Sequence, residues 1–170
     1  MNAAELRELQ TPFKNKFKSD PSSALLTLKA VGELGPDVTC RLAFAVPPQV
    51  AGLHPQAGGN GAEACSAEML LHALVGCAGV TLAAVATAME IPVRGGRIVA
   101  EGDVDFRGTL GVLRDVPVGF QEIRLTFDLD TDAPDDKVAK LVELTERYCV
   151  VYQTLKNSPK LEATIGNTPE

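Results

Sequence analysis

Basic residues are scarce and nowhere concentrated in this chain of 170 residues, in which 16 Lys and Arg are set against 22 Asp and Glu for a formal charge of −6. Nucleic-acid binding needs clustered cations that release counterions. The densest basic stretch, Lys14, Lys16 and Lys18, reads as a solvated N-terminal arm over residues 1–23, so no nucleic-acid partner is expected. The opening MNAAELRELQTPFKNKFK lacks the apolar stretch of a secretory signal, and its glutamates argue against an organelle transit peptide. A cytoplasmic location is expected. Cysteines number four (Cys40, Cys65, Cys77 and Cys149), too few and too scattered for a disulfide framework, so free thiols in a reducing compartment are the expectation. CxxC and HxxxH spacings are absent, and two histidines, His54 and His72, do not build a metal site with these cysteines. No metal and no bound cofactor are expected.

What the chain does have is 45% hydrophobic content, enough for a real core within a single domain over residues 1–170. Ala24 to Leu34 and Asp37 to Ala45 read as strands joined at Gly35-Pro36, a hairpin by turn chemistry. Residues 46–64 are rich in Pro and Gly and read as a long covering or functional loop. Ser66 then caps a helix running through CSAEMLLHALVGCAGVTLAAVATAME to Pro92.

Within that helix, Met69 to Met89 is a run of 21 residues without a formal charge, which at 1.5 Å per residue spans about 31 Å, the length of a membrane crossing. The run is rich in Ala and Gly rather than Leu, contains His72 and Thr81, and has no flanking basic or aromatic anchors, so it reads as a buried helix and no membrane partner is expected. A helix apolar on all sides must be surrounded by protein, which an interlocked dimer does better than a monomer of this size. Ala73, Gly76, Ala78, Gly79, Ala83 and Ala84 would let a second helix approach closely. A homodimer is therefore expected on physical grounds.

Gly96 to Phe106 and Gly119 to Asp130 alternate as a second strand pair, and Pro134 opens a helix whose first turn carries Asp135 and Asp136. The chain then reaches Cys149, a helical turn or two, a final strand and a polar tail. The expected order is β-β-α-β-β-α-β, an α+β arrangement of two long helices packed against strands. Cys77 in the middle of the first helix and Cys149 at the end of the second both sit on rigid elements. Such placement suits chemistry and equally suits packing, since a buried free cysteine behaves as a small hydrophobe. Cys40 and Cys65 carry no such spacing and read as structural.

Three stretches carry a resemblance: GGNGAEACSAEMLLHALVGCAGVTLAAVATAMEI from Gly58, EGDVDFRGTLG from Glu101, and LTERYCVVYQTLKN ending at Asn157. An acidic residue opens a long apolar helix, Gly-Cys lies in its middle, and a second Cys precedes an aliphatic-aromatic-x-Thr-Leu stretch. Together they resemble the OsmC/Ohr family of osmotically induced and organic-hydroperoxide-resistance proteins. The resemblance implies an intertwined homodimer with each active site at the subunit interface. It also implies reduction of an organic hydroperoxide by a peroxidatic thiolate, Cys77, whose sulfenic acid is captured by a resolving thiol, Cys149, with an external dithiol as reductant.

The chain departs from that pattern in two places. Peroxidase members carry an arginine near the end of the first strand that pairs with the thiolate and a glutamate, and the corresponding LKAVGELGPD has none, leaving Arg41 on the second strand as a substitute. Val150 follows Cys149 where many members have proline. Glu68 resembles the helix-opening acid, yet nine residues before Cys77 it lies about 13.5 Å along the helix and about 900° around it, so it serves that thiol only from a partner subunit, or else it stabilises the helix dipole. His72, five residues before Cys77, is about 500° away and reads as a satisfied core or interface histidine. Thr81, four residues after Cys77, shares its face and either bonds the thiol or bonds back to its own helix. Tyr148 and Tyr152 flank the second thiol. Two functions stay open: a thiol peroxidase for organic hydroperoxides, and a non-enzymatic stress-related or apolar-ligand-binding protein on the same dimeric scaffold.

Overall fold

Alternation along the two longest strands explains the centre of the molecule. The structure, a computed structural model, describes residues 2–5, 8, 11, 19, 32–35, 39–42, 49–57, 59–110 and 114–166; the side chains of 32–35, 39–42, 49, 56 and 107 are outside the description. Strand β5 (Gly95–Val104) pairs antiparallel with β6 (Phe120–Asp130) in a two-stranded sheet, in a register that sets Ile98 opposite Phe127, Ala100 opposite Leu125 and Gly102 opposite Ile123. Side chains two apart share a face, so these apolar pairs form one side. On the other side Arg124 joins Asp103, Glu122 (3.3 Å) and Glu101 (4.0 Å) in an exposed charge cluster. Two strands alone are marginally stable in water, and the apolar face needs a cover.

Helix α1 (Ser66–Ala88) is the cover. Its buried residues Leu74, Ala78, Leu82 and Ala86 recur every four positions, a single line along the helix. Helix α3 (Asp135–Tyr148) packs beside it through fully buried Leu141 and Thr145, and α4 (Val150–Lys156) follows after a break at Cys149. A core of Leu82, Ala86, Ile91 and Leu141 fills one end, with Val93, Phe127 and Leu129 against it; Leu74, Ala78 and Cys149 fill the other. Helix α1 ends in a Schellman arrangement: Ile91 N–H donates to the Ala86 carbonyl (2.9 Å) and Glu90 N–H to that of Thr87 (3.2 Å). Glu90 occupies its left-handed position at φ 56°.

The α+β class expected from the sequence is what the structure has, with several differences of detail. Strands β1 (Gly32–Gly35) and β2 (Thr39–Leu42) form the expected hairpin, shorter within the described residues than the strands read from sequence. Residues 46–64 are not one long loop: β3 (Gln49–Gly52) pairs antiparallel with β2, and β4 (Ala64–Cys65) pairs parallel with β3, giving a four-stranded sheet in the order β1-β2-β3-β4. Ser66 is the first helical residue rather than the cap; Cys65 takes the cap position without a side-chain hydrogen bond. A short helix, α2 (Phe106–Thr109), lies between β5 and β6. The final strand read after the second thiol is absent: residues 158–166 form no strand and are exposed, Ile165 almost completely. Most of the N-terminal arm, including Lys14, Lys16 and Lys18, lies outside the described residues.

The long helix is also buried on one face only. Leu70 and Val80 are exposed, Val80 at 75%, because one hairpin and one helical pair cover one side of a cylinder that is apolar all round. By length and composition α1 would also cross a membrane, yet along its buried line it packs on protein.

Candidate functional site

Cys77 sits next to Ala78, at the border of the buried line of α1, and is partly exposed; Cys149 is fully buried against Leu74 and Ala78. The two thiols, far apart in sequence, meet. Both are free, and each acts on the acidity of the other.

The backbone at Cys149 explains how. The residue closes α3, its N–H donating to the Thr145 carbonyl (2.9 Å), and opens α4, its carbonyl accepting from Gln153 N–H (2.9 Å). Its φ of −72° and ψ of 111° are extended, so the helical ladder is interrupted there. The first amides of a helix have no partner within it. The Cys149 sulfur accepts one of them, Tyr152 N–H, at 3.5 Å. The amides of Val151 and Val150 lie near enough to the Cys77 sulfur to act on its acidity.

These contacts set the two thiols apart electrostatically. For Cys77, burial is the largest single influence and pushes the thiol up, but Val151 N–H, the Cys149 thiol, Val150 N–H and the Thr81 hydroxyl together outweigh it and hold Cys77 below the ordinary thiol value. For Cys149, burial again comes first and pushes up; Tyr152 and Val151 amides lower it, the neighbouring Cys77 raises it, and the net direction is upward. At neutral pH Cys77 is thus the thiolate-prone member and Cys149 the proton-bearing donor.

Among the described residues the groups that lower Cys77 are two peptide N–H groups, the Cys149 thiol and the Thr81 hydroxyl, with no cationic side chain. The backbone of Arg41 lies in β2 opposite Glu33 and Val50, and its side chain is outside the description. Glu68 lies exposed in the first turn of α1, is not among the groups acting on Cys77, and lines a different cleft. His72 bonds the Glu68 carbonyl through Nδ1 (2.8 Å), one turn back on its own helix. Thr81 does face Cys77. Tyr148 is exposed beneath Arg147 (5.5 Å to its ring), whereas Tyr152 packs against the thiol cluster. Sequence reasoning missed the amides of Val150 and Val151, and no residue type announces a peptide N–H; the one available signal was the end of α3 at Cys149.

Away from the thiols, a cleft of about 880 Å³ opens at the start of α1, where Leu53, Leu71, Val104 and Phe120 surround a stacked pair, His54 and Phe106 (centroids 4.9 Å apart). Cys65 also lines it. Among the described residues no three His, Cys, Asp or Glu side chains converge where a metal would sit.

Comparison with known proteins agrees with this architecture. The OsmC-like protein family matches residues 59–164. An OsmC-like protein from Mycoplasma pneumoniae superposes with a TM-score of 0.66 at 16% identity over 78% of this chain and 89% of its own. An organic hydroperoxide resistance protein from Elizabethkingia anophelis superposes at 0.63 with 15% identity over 79% and 91%. A putative organic hydroperoxide resistance protein from Vibrio cholerae, with captopril bound in one of its active sites, gives 0.56 and 10% over 79% and 88%. No curated protein matches the chain in sequence. With the family match covering more than half of its length and these neighbours sharing its fold, the chain belongs to the OsmC-like family.

Proposed function

We propose that the protein is a thiol peroxidase that reduces organic hydroperoxides through Cys77 and Cys149, working as a homodimer in the cytoplasm. The observation that carries this reading is the contact between two free thiols whose surroundings drive their acidities in opposite directions. The Cys77 thiolate attacks the outer oxygen of the hydroperoxide. The O–O bond breaks, sulfur loses two electrons and becomes a sulfenic acid, and the alkoxide leaves and takes a proton as the alcohol. Cys149 then attacks the sulfenic sulfur, forming a disulfide and releasing water. An external dithiol restores both thiols by two exchanges and leaves as a disulfide.

Apolar neighbours, Leu74, Ala78, Ile98 and Val151, favour an alkyl hydroperoxide over hydrogen peroxide. The uncovered face of α1, with Val80 outermost, is the surface a second copy would bury.

The test is peroxide consumed per subunit by four variants, with cumene hydroperoxide compared with hydrogen peroxide. Cys77→Ser abolishes turnover. Cys149→Ser consumes one equivalent and leaves Cys77 as sulfenic acid or overoxidised, while Cys40→Ser and Cys65→Ser change little. Slow, equal oxidation of all four cysteines by both peroxides would refute the proposal. The apolar cleft at the start of α1 favours a second reading, a binder of apolar ligands without thiol chemistry, and that result would select it.

A further inference from the structure

The break at Cys149 has a competitor in the chain itself. Were Cys149 helical, α3 and α4 would form one continuous helix, and the amides of Val150 and Val151 would turn back to the carbonyls four residues earlier, those of Glu146 and Arg147. Both amides would then leave Cys77. Something must favour the broken arrangement over the continuous one.

Two side chains of α4 reach back across the break to a single residue of α3. The Gln153 side-chain amide donates to the Glu146 carbonyl (2.9 Å), occupying the acceptor that Val150 N–H would take in an unbroken helix. The Tyr152 hydroxyl donates to the Glu146 carboxylate (3.0 Å), while its own backbone N–H donates to the Cys149 sulfur (3.5 Å). The Tyr152 ring packs on Leu74, Ala78 and Cys149, and Lys156 lies 5.7 Å from its centre. Burial, first, and the Glu146 carboxylate push the Tyr152 phenol up, so it remains a donor at neutral pH.

We propose that Glu146, Tyr152 and Gln153 form a clasp that holds the helix broken at Cys149 and thereby keeps the Val150 and Val151 amides on Cys77. The three are positioning residues: none touches the reacting sulfur of Cys77 in this role. The inference rests on the thiol-pair reading of the site.

Alkylation of Cys77 by iodoacetamide, followed against pH in full-length protein carrying Cys40→Ser and Cys65→Ser, tests it. Tyr152→Phe removes one oxygen and is expected to slow Cys77 at neutral pH by about twofold to tenfold, the worth of one partly buried hydrogen bond, and to move its profile to higher pH. Glu146→Leu does the same, and the double variant is no slower than the slower single one. Glu146→Gln recovers part of the rate, because its amide oxygen still accepts from the phenol. Lys140→Ala, which breaks the Glu143 ion pair elsewhere on α3, leaves the profile in place. If Glu146→Leu does not fold, Tyr152→Phe decides. A Tyr152→Phe profile that superposes on the parent, or additive effects in the double variant, overturns the clasp. If Cys77 of the parent titrates like a free thiol, the thiol-pair reading fails first and takes the clasp with it; a low-lying parent profile with unmoved variants sinks the clasp alone.

Discussion

Replacing Val150 by proline separates the stability of this fold from the reactivity of its thiol. Position 150 is the first residue of α4, where proline is favoured because the missing N–H has no helical partner and φ is preset. The preceding residue must be extended, and Cys149 already is, at φ −72° and ψ 111°. The Val150 side chain is 71% exposed, so its loss removes little packing. The fold should therefore accept Val150→Pro and gain about 0.4–1 kcal/mol through a stiffer unfolded chain. What the variant loses is one N–H facing the Cys77 sulfur.

A hydrogen bond to a charged group is worth about 1.5–3 kcal/mol, and because Cys77 is only partly buried, water replaces some of it. The low end, about 1.5 kcal/mol, corresponds to about tenfold less thiolate at neutral pH. The more basic thiolate is intrinsically about threefold more nucleophilic, by a Brønsted slope of about 0.4–0.5. Combining these two factors, Val150→Pro should alkylate about three- to fourfold more slowly than the parent at neutral pH, and about threefold faster on the alkaline plateau. The assay is the pH profile of Cys77 alkylation read by mass, alongside thermal unfolding. Curves that cross support activation by peptide amides. A folded Val150→Pro variant whose profile superposes on the parent would refute it.

The remaining expectations are simpler. Glu90→Gly removes a left-handed penalty of about 1–2 kcal/mol against a glycine entropy cost of about 0.5–1, and should raise the melting temperature by about 1–4 °C. Leu141→Ala empties a fully buried site between α3 and α1 and should cost about 2–5 kcal/mol in denaturant unfolding; a loss below about 1 would mean that this contact is not the core. Val80→Arg puts a charge on the outermost point of α1, and sedimentation at micromolar concentration should show a parent dimer converted to monomer. An unchanged dimer would place the interface elsewhere.

Periodic segments were legible in the sequence because their period is their packing. The apolar alternation of Ile123, Leu125, Phe127 and Leu129 is the face that meets α1, and the charge-free run from Met69 predicted the long helix within one or two residues at its end. Strands β3 and β4 were not legible. Four residues, Gln49–Gly52, and two, Ala64–Cys65, are too short to show a period; β3 is a strand only because β2 lies beside it, and β4 only because β3 does. The reverse error fell on residues 158–166, where Leu161, Ala163 and Ile165 alternate as a strand would, yet no neighbouring edge pairs with them in this chain. At the site, Thr81 was readable from its spacing of four from Cys77. The amides of Val150 and Val151 were not, because a backbone amide is present at nearly every position and only the break in the helix exposes it.

Access and acidity agree on which thiol would attack in the proposed reaction, and both follow from where the residues fall on their helices. Cys77 and Thr81 form a line adjacent to the buried line of Leu74, Ala78 and Leu82, so one flank of the Cys77 sulfur meets Cys149 and the other is uncovered. Cys149 lies one turn beyond Thr145 on the buried side of α3, with no exposed surface. For the roles to be reversed, a peroxide would have to reach a sulfur enclosed by Leu74 and Ala78, and a thiol raised by burial would have to ionise before one lowered by its donors. Each requirement opposes the packing, and the opening of α4 that satisfies the first would withdraw the amides of Val150 and Val151 from Cys77. The same break in the helix would therefore fix the direction of the proposed reaction: it brings donors to the partly exposed thiol while it keeps the other one closed.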